Sequence, residues 1–136
     1  MNALTVSARA LLLFAHGSRD PRWAEPLARL ADAVRRRDPA VTVAQAFLEL
    51  MPPTLPDAID ALAAAGHARV ALLPVFWAGG GHVLRDLPAL LEAARVRHPG
   101  LEVAVLPALS DLPGVLDAVA AAALEYRDPA ACAGKA

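Results

Sequence analysis

The chain contains 136 residues and has a mass of 14.2 kDa, which is the size of a single domain. Hydrophobic residues make up 57% of the sequence and charged residues 20%, so the chain can build a core and is not disordered as a whole. The 13 basic and 14 acidic side chains leave a formal net charge of -1, which argues against a nucleic-acid partner, and the single cysteine excludes a disulfide framework.

The beginning of the sequence carries no signal for a membrane. Its apolar run, Ala10 to Ala15, is far shorter than the roughly 20 residues of a membrane span. Polar residues follow this run at once, which is untypical of a signal peptide. We therefore expect a cytoplasmic protein with no membrane partner. Its organisation is expected to be one domain over 1–127 and a flexible tail over 128–136.

Short apolar runs alternate with amphipathic stretches along the whole chain. The pattern predicts strands over 10–15, 41–47, 69–76 and 102–106, and helices over 23–37, 54–65, 83–97 and from 111 or 113 to about 126. Trp23 belongs to the apolar stripe of the first predicted helix. Pro88 predicts a late start or a kink in the third. This order indicates an α/β fold with a small, open, parallel four-stranded sheet and helices on both faces.

Polar residues follow the predicted strands where each strand ends. In open parallel sheets, ligands bind outside the carboxyl ends of the strands, at the point where the strand order reverses. The residues there are His16–Gly17–Ser18–Arg19, then Glu49, then Gly79–Gly80–Gly81–His82. With strand order 2-1-3-4, His16 and His82 flank the crevice. Two imidazoles and a carboxylate suit a divalent first-row metal, or a general base. His67 and His98 are expected at the opposite edge, beside turns, in structural roles.

The two glycine-containing loops allow two interpretations. Gly79–Gly81 either forms a simple turn or brings backbone N–H groups close to an anionic ligand at the start of a helix. Gly17 and Ser18 could do the same, and the guanidinium of Arg19 could pair with carboxylates of the ligand. Neither loop matches a P-loop or a dinucleotide-binding fingerprint.

Three segments in this order resemble the small, CbiX-type sirohydrochlorin chelatases of the class II chelatase family, which belong to the cobalamin and siroheme pathways. The segments are Leu11–Pro21, Ala46–Leu50, and Pro74–Val83 followed by Asp86–Leu87–Pro88. The resemblance extends from about Leu11 to about Leu124. The chain differs from the expected pattern at Ala15 and Trp77, which affects the expected shape of the pocket.

The resemblance implies a class II chelatase fold and insertion of a divalent metal into sirohydrochlorin without ATP. His16 and His82 then match the metal-binding, proton-accepting histidines, and Glu49 matches the motif carboxylate, as ligand or base. No cofactor is implied beyond the substrate metal. Cobalt is favoured, and iron and nickel remain open. A carrier of tetrapyrrole or metal, without turnover, is the alternative from a different class.

The resemblance also implies how the substrate and a second copy would bind. The single-module form pairs as a homodimer, in which two copies build what longer chelatases build from two fused halves. The carboxylates of sirohydrochlorin would be held by loop residues and arginines. The candidates are Gly17, Ser18, Arg19, Gly79, Gly80, Gly81 and Arg85, with Arg22 as a further arginine. Trp77 either lies against the macrocycle or packs in the core.

Overall fold

The structure is a computed structural model that describes residues 8–78, 82–128 and 130, without the side chains of His82 and Val83. Four strands form one sheet, and all of their pairings are parallel. The strands are β1 (Ala10–Ala15), β2 (Thr42–Phe47), β3 (Arg69–Pro74) and β4 (Glu102–Val105). Their order across the sheet is β2-β1-β3-β4, which confirms the predicted α/β fold and the order on which the candidate site depends.

The helices are α1 (Glu25–Arg37), α2 (Leu55–Ala64), α3 (His82–Arg97) and α4 (Val115–Glu125). The hydroxyl of Thr54 accepts a hydrogen bond from the backbone N–H of Asp57, so Thr54 caps α2 as expected. Of the late start or kink predicted at Pro88, the late start is wrong, because α3 begins at His82 and continues through Pro88. The kink stays a prediction. Burial of Leu87 and Ala94 against the core explains why this helix tolerates an internal proline.

The start of the first helix also differs from the prediction. A 3₁₀ turn, Pro21–Ala24, precedes α1, and the carboxylate of Asp20 caps this turn by accepting a hydrogen bond from the backbone N–H of Arg22. Trp23 lies in the turn and is 72% exposed. It therefore does not belong to the buried stripe of α1, which consists of Leu27 and Ala31.

The sheet has an apolar layer on each face. On one face, Phe14 of β1 packs with Ile59 of α2 in a cluster that also includes residues of α3. On the other face, Leu13 packs with Leu27 and Ala31 of α1. The alternation of Leu13 and Phe14 shows why the β1 run is continuously apolar: both faces of this central strand are covered.

The end of the chain is packed differently from the rest. None of the residues of α4, all of which are described, is buried, and the contacts of this helix are chiefly with a 3₁₀ turn at Leu109–Asp111. Among the described helices, none is long and apolar enough to cross a membrane. The single domain over 1–127 stays a prediction. The tail predicted over 128–136 lies outside the described residues except at Asp128 and Ala130.

Candidate active site

The carboxyl ends of β1 and β2 bring His16 and Glu49 together. The parallel pairing continues beyond both strands: the N–H of Leu48 donates to the carbonyl of Ala15 at 2.9 Å, and the N–H of Glu49 donates to the carbonyl of His16 at 3.1 Å. Two backbone hydrogen bonds thus align the loop after β2 with the loop after β1. The predicted proximity of His16 and Glu49 is a direct consequence of this alignment.

The two side chains form a close pair that is open to solvent. Nε2 of His16 lies 2.9 Å from Oε1 of Glu49, and the two side chains are 52% and 55% exposed. In one arrangement Nε2–H of His16 donates a hydrogen bond to the carboxylate, which orients the ring and leaves Nδ1 as the basic nitrogen. In the other, both atoms bind one metal ion.

The spacing of the pair is compatible with metal binding. Adjacent ligands of an octahedral ion with bonds of about 2.1 Å are about 3.0 Å apart, close to the observed separation of Nε2 and Oε1. Among the described residues, no three histidine, cysteine, aspartate or glutamate side chains are grouped so that they could hold a metal. Further ligands would have to come from His82 or from the substrate.

Gly17 allows the loops after β1 and β2 to lie close together. Its φ of +99° lies in the left-handed region, and a Cβ there would overlap the carbonyl oxygen of Glu49. Only glycine meets both conditions without strain. The structure thus gives Gly17 a structural reason to follow His16, while its contact with substrate stays a prediction. Leu50 also has a positive φ, of 72°, so the loop carrying Glu49 turns sharply after it.

His82 and the glycine loop complete the predicted set. The backbone of His82 begins α3, directly after β3 and its loop. Since β3 is the neighbour of β1, this helix start lies at the same edge of the sheet as His16. Gly79, Gly80, Gly81 and the side chain of His82 lie outside the described residues, so their roles stay predictions.

A cavity of about 540 Å³ lies beside His16. Its volume is in the range of sites for small organic ligands. Its lining is mostly apolar and consists of Ala15, His16, Gly17, Ser18, Trp23, Pro26, Leu27, Phe47, Val75 and Phe76. A larger groove of about 750 Å³ follows the edge strand β2. No histidine lines it, so it lacks an imidazole that could bind a metal or accept a proton.

Both tryptophans of the chain are exposed near this edge. Trp23 lines the cavity next to His16 and was missed by the sequence interpretation, which assigned it to a buried stripe. The prolines at 21 and 26 that surround it are the signal for an irregular helix start. Trp77 is 53% exposed, which excludes the interpretation that it packs in the core.

The arginines of the site differ in their availability. The guanidinium of Arg22 is 2.7 Å from Oδ2 of Asp20 and donates to both carboxylate oxygens. This pairing lowers the pKa of Asp20 and occupies Arg22. Arg19 and Arg85 are exposed, and Arg85 lies in the first turn of α3. The hydroxyl of Ser18 accepts the N–H of Asp20 at 3.1 Å, which stabilises the turn after Gly17.

The opposite edge of the sheet contains a second histidine–carboxylate pair. Nε2 of His98 lies 2.7 Å from Oδ1 of Asp60, and Arg97 donates to the same oxygen at 3.1 Å. These contacts connect α2 with the end of α3 and lower the pKa of Asp60, with His98 as the largest cause. His67 also lies at this edge, in the turn after α2. The predicted placement of His67 and His98 away from the candidate site is therefore confirmed.

The chain is similar to known sequences along most of its length. The CbiX family model matches residues 10–126. A protein named sirohydrochlorin cobaltochelatase from Methanosarcina barkeri is 36% identical over 82 residues, which are 60% of this chain and 63% of that protein. One of the same name from Saccharolobus islandicus is 31% identical over 100 residues, 71% of this chain and 77% of that protein. The chain thus spans slightly less than two thirds of the first of these relatives.

Solved structures show the same fold. A chain described as a cobalamin (vitamin B12) biosynthesis CbiX protein from Marinobacter aquaeolei superposes with a TM-score of 0.74 and 28% identity, covering 85% of this chain and 94% of that one. The sirohydrochlorin chelatase SirB from Bacillus subtilis subspecies spizizenii, in complex with cobalt, gives a TM-score of 0.73 and 23% identity. There the match covers 86% of this chain and 50% of SirB.

Proposed function

Because the chain belongs to the CbiX family, we propose that it is a sirohydrochlorin chelatase, an enzyme that inserts a divalent metal into the macrocycle without ATP. The observation that carries the proposal is the His16–Glu49 pair, 2.9 Å apart and open to solvent beside an apolar cavity. The names of the relatives and their similarity along most of the chain support the same activity.

The proposed chemistry needs few groups. Insertion removes two pyrrole N–H protons and brings the metal to one face of the ring. Neutral imidazole is both a ligand for first-row divalent metals and a base near neutral pH. His16 and His82 would hold the incoming ion and accept protons. Glu49 would either bind the ion through Oε1 or orient the ring of His16, and both roles fit the observed separation.

The apolar cavity and its aromatic border suit the other part of the substrate. A tetrapyrrole presents a flat apolar ring with carboxylates around its rim. Trp23 lines the cavity beside His16, Trp77 is exposed after β3, and both would lie against the ring. Arg19 and Arg85 would pair with the rim carboxylates, together with the backbone of Gly17, Ser18 and the loop Gly79–Gly81.

Cobalt is the metal that we propose, which assigns the enzyme to cobalamin biosynthesis. The relatives carry the name cobaltochelatase, whereas imidazole and carboxylate ligands alone do not distinguish cobalt from iron or nickel. The proposed location is the cytoplasm, which the short apolar runs of the sequence favour.

A homodimer is the proposed working form. The chain matches half of the longer chelatase SirB, so a second copy would supply what the other half of such a protein supplies. The side chains of His16 and Glu49 are more than half exposed, and a second copy would enclose a ligand as large as a tetrapyrrole beside them.

The direct test is an absorbance time course of sirohydrochlorin with Co²⁺, with and without the protein. Catalysed insertion is expected, fastest with Co²⁺ in parallel reactions with Fe²⁺ and Ni²⁺. Equal rates with and without protein would refute the enzyme. Quenching of tryptophan emission by sirohydrochlorin provides an independent measure of binding, because both tryptophans lie near the site. Binding without acceleration would identify a carrier instead.

A further inference from the structure

The loop that follows β4 holds the peptide planes on both sides of Trp77. The backbone N–H of Leu109 donates to the carbonyl of Phe76 at 3.0 Å, and the N–H of Ser110 donates to the carbonyl of Trp77 at 2.9 Å. The first carbonyl belongs to the plane before the Cα atom of Trp77, and the second to the plane after it. Because each peptide unit is planar, fixing both planes fixes the direction of the Cα–Cβ bond of Trp77. We call these two hydrogen bonds the Trp77 clamp.

The donors of the clamp come from the start of a short helical turn. Up to Leu106 the chain still pairs with β3, through the N–H of Leu106 and the carbonyl of Leu72. The 3₁₀ turn Leu109–Asp111 follows. The first N–H groups of a helical turn find no partner within the turn. The carbonyls of Phe76 and Trp77 supply these partners, so the turn and the loop after β3 stabilise each other.

Both sides of the clamp are anchored in the apolar core. On the donor side, Ala108 is buried and Leu109 packs against the layer that α1 covers. On the acceptor side, the N–H of Val75 donates to the carbonyl of Phe14 at 2.7 Å. The ring of Phe76 meets the ring of Phe14 edge to face, with centroids 5.9 Å apart and planes at 87°. The backbone of Trp77 is therefore connected to the central strand β1 as well as to β4.

The side chain of Trp77 contrasts with its well-held backbone. Trp77 is 53% exposed, so packing of the indole does not explain why its backbone is fixed from two sides. A tryptophan with a fixed backbone has only two side-chain dihedrals left to order. It therefore offers a large contact surface at a low entropic cost of binding.

We propose that Leu109 and Ser110 are positioning residues for substrate binding, whose backbone N–H groups hold Trp77 as a rigid platform for the flat ring of the tetrapyrrole. The loop after β4 lies outside the set of candidate site residues, yet it sets the affinity for the macrocycle. With the clamp formed, binding has to order only the indole, and this lowers the dissociation constant. The inference rests on the proposed function and adds the residues that prepare one of its binding surfaces.

Leu109→Pro removes one donor of the clamp with little strain. Ala108 already has the extended backbone, with a ψ of 166°, that a residue before proline adopts, and proline is accepted at the first position of a helical turn. Leu109→Ala is the matched control, because it shortens the same side chain but keeps the N–H. Ser110→Pro and its control Ser110→Ala repeat the comparison at the second donor, so the test does not depend on the folding of one variant.

The first readout is the motion of Trp77 without any ligand. The chain has two tryptophans, so in a Trp23→Phe background the time-resolved anisotropy of tryptophan emission reports Trp77 alone. Leu109→Pro is expected to show a larger amplitude of fast local motion than Leu109→Ala. Equal amplitudes would refute the clamp. Since no substrate is present, this result is independent of the chelatase activity.

The second readout is the affinity for sirohydrochlorin, measured by equilibrium dialysis. Leu109→Pro is expected to raise the dissociation constant and the KM about 5-fold relative to Leu109→Ala, while kcat changes by less than about 2-fold. In a Trp77→Ala background, the same substitution should change the dissociation constant by less than about 2-fold, because no platform remains to be held.

Three outcomes would overturn the platform. An equal rise of the dissociation constant in both backgrounds would mean that the turn acts on another part of the site. A fall in kcat alone would mean that the turn positions the loop leading to His82. Both outcomes leave the chelatase activity intact. A wild-type chain that does not bind sirohydrochlorin would refute the proposed function and with it the platform, whereas the anisotropy result would still stand for the clamp.

Discussion

The two edges of the sheet each hold a histidine beside a carboxylate, and the two pairs differ in almost everything else. At the carboxyl edge, His16 and Glu49 are more than half exposed, and the described ion pairs give Glu49 no arginine. At the opposite edge, Asp60 accepts from both His98 and Arg97, and the side chain of His98 is only 28% exposed. The first pair is open to solvent and, among the described ion pairs, includes no arginine, while the second includes Arg97 and connects two helices.

This difference separates the proposed reactive pair from the structural one better than distance does. The separations, 2.9 Å and 2.7 Å, would rank the structural pair as the closer. What distinguishes the candidate site is a carboxylate that no arginine or lysine of the described residues pairs with, an approach from solvent, and a cavity beside it. A neutralised carboxylate has little affinity left for a metal ion or a proton.

The largest effect is expected from His16→Ala. Loss of a metal ligand or base should reduce the catalysed insertion rate by about 10²-fold or more. The fold should survive, because the side chain is exposed. His98→Ala is the matched control and should retain nearly full activity. Equal losses of the initial rate with Co²⁺ in both variants would refute the proposed difference between the two edges of the sheet.

Gly17→Ala tests how closely the backbone supports the reactive pair. The substitution forces a left-handed residue against the carbonyl of Glu49 and should cost about 2 kcal/mol or more. Gly66→Ala is the control at the opposite edge, where φ is also positive, at +94°, but the space around the added Cβ is open. It should cost about 1 kcal/mol. Urea denaturation followed by circular dichroism measures both values, and equal losses would mean that the crowding at Gly17 is relieved by a small backbone shift.

Glu49→Gln keeps a polar contact with His16 and removes the charge. We expect a reduction of the insertion rate on the order of 10-fold to 100-fold, as for partners of metal-binding histidines. The size of the effect at saturating Co²⁺ separates the two roles of Glu49: a metal ligand would be partly rescued by excess metal, an orienting group would not. Unchanged rates at all metal concentrations would remove Glu49 from the mechanism.

Asp60→Asn should give the smallest effect and act on stability alone. Since folding lowers the pKa of Asp60, its ionised form stabilises the folded state above the unfolded pKa of about 3.9. That contribution is lost as the pH falls through the lower, folded-state pKa. The variant should therefore melt at a lower temperature than wild type at pH 7, and the difference should shrink below about pH 4. A difference that is constant with pH would assign the effect to packing instead.

The sequence was sufficient to predict the parallel sheet and the proximity of His16 and Glu49 in the candidate site. Continuous apolar runs specify buried parallel strands, and the residues after them must share an edge, so His16 and Glu49 could be placed together. The contacts of Asp60 with Arg97 and His98 could not be predicted from the sequence, because they depend on how α2 lies against α3. The exposure of Trp23 was missed for a related reason: a 3₁₀ turn shifts the phase of the helical pattern by part of a turn, and periodicity alone does not report this shift.

The continued ladder between the loops after β1 and β2 has an entropic consequence. The backbone hydrogen bonds at Leu48 and Glu49 hold the backbones of His16 and Glu49 at a fixed separation before any ligand arrives. The backbone at these two positions was therefore ordered during folding, and metal binding does not have to order it again. The entropic cost that remains for the pair alone is the ordering of two exposed side chains, which should be offset by the water that the metal ion releases.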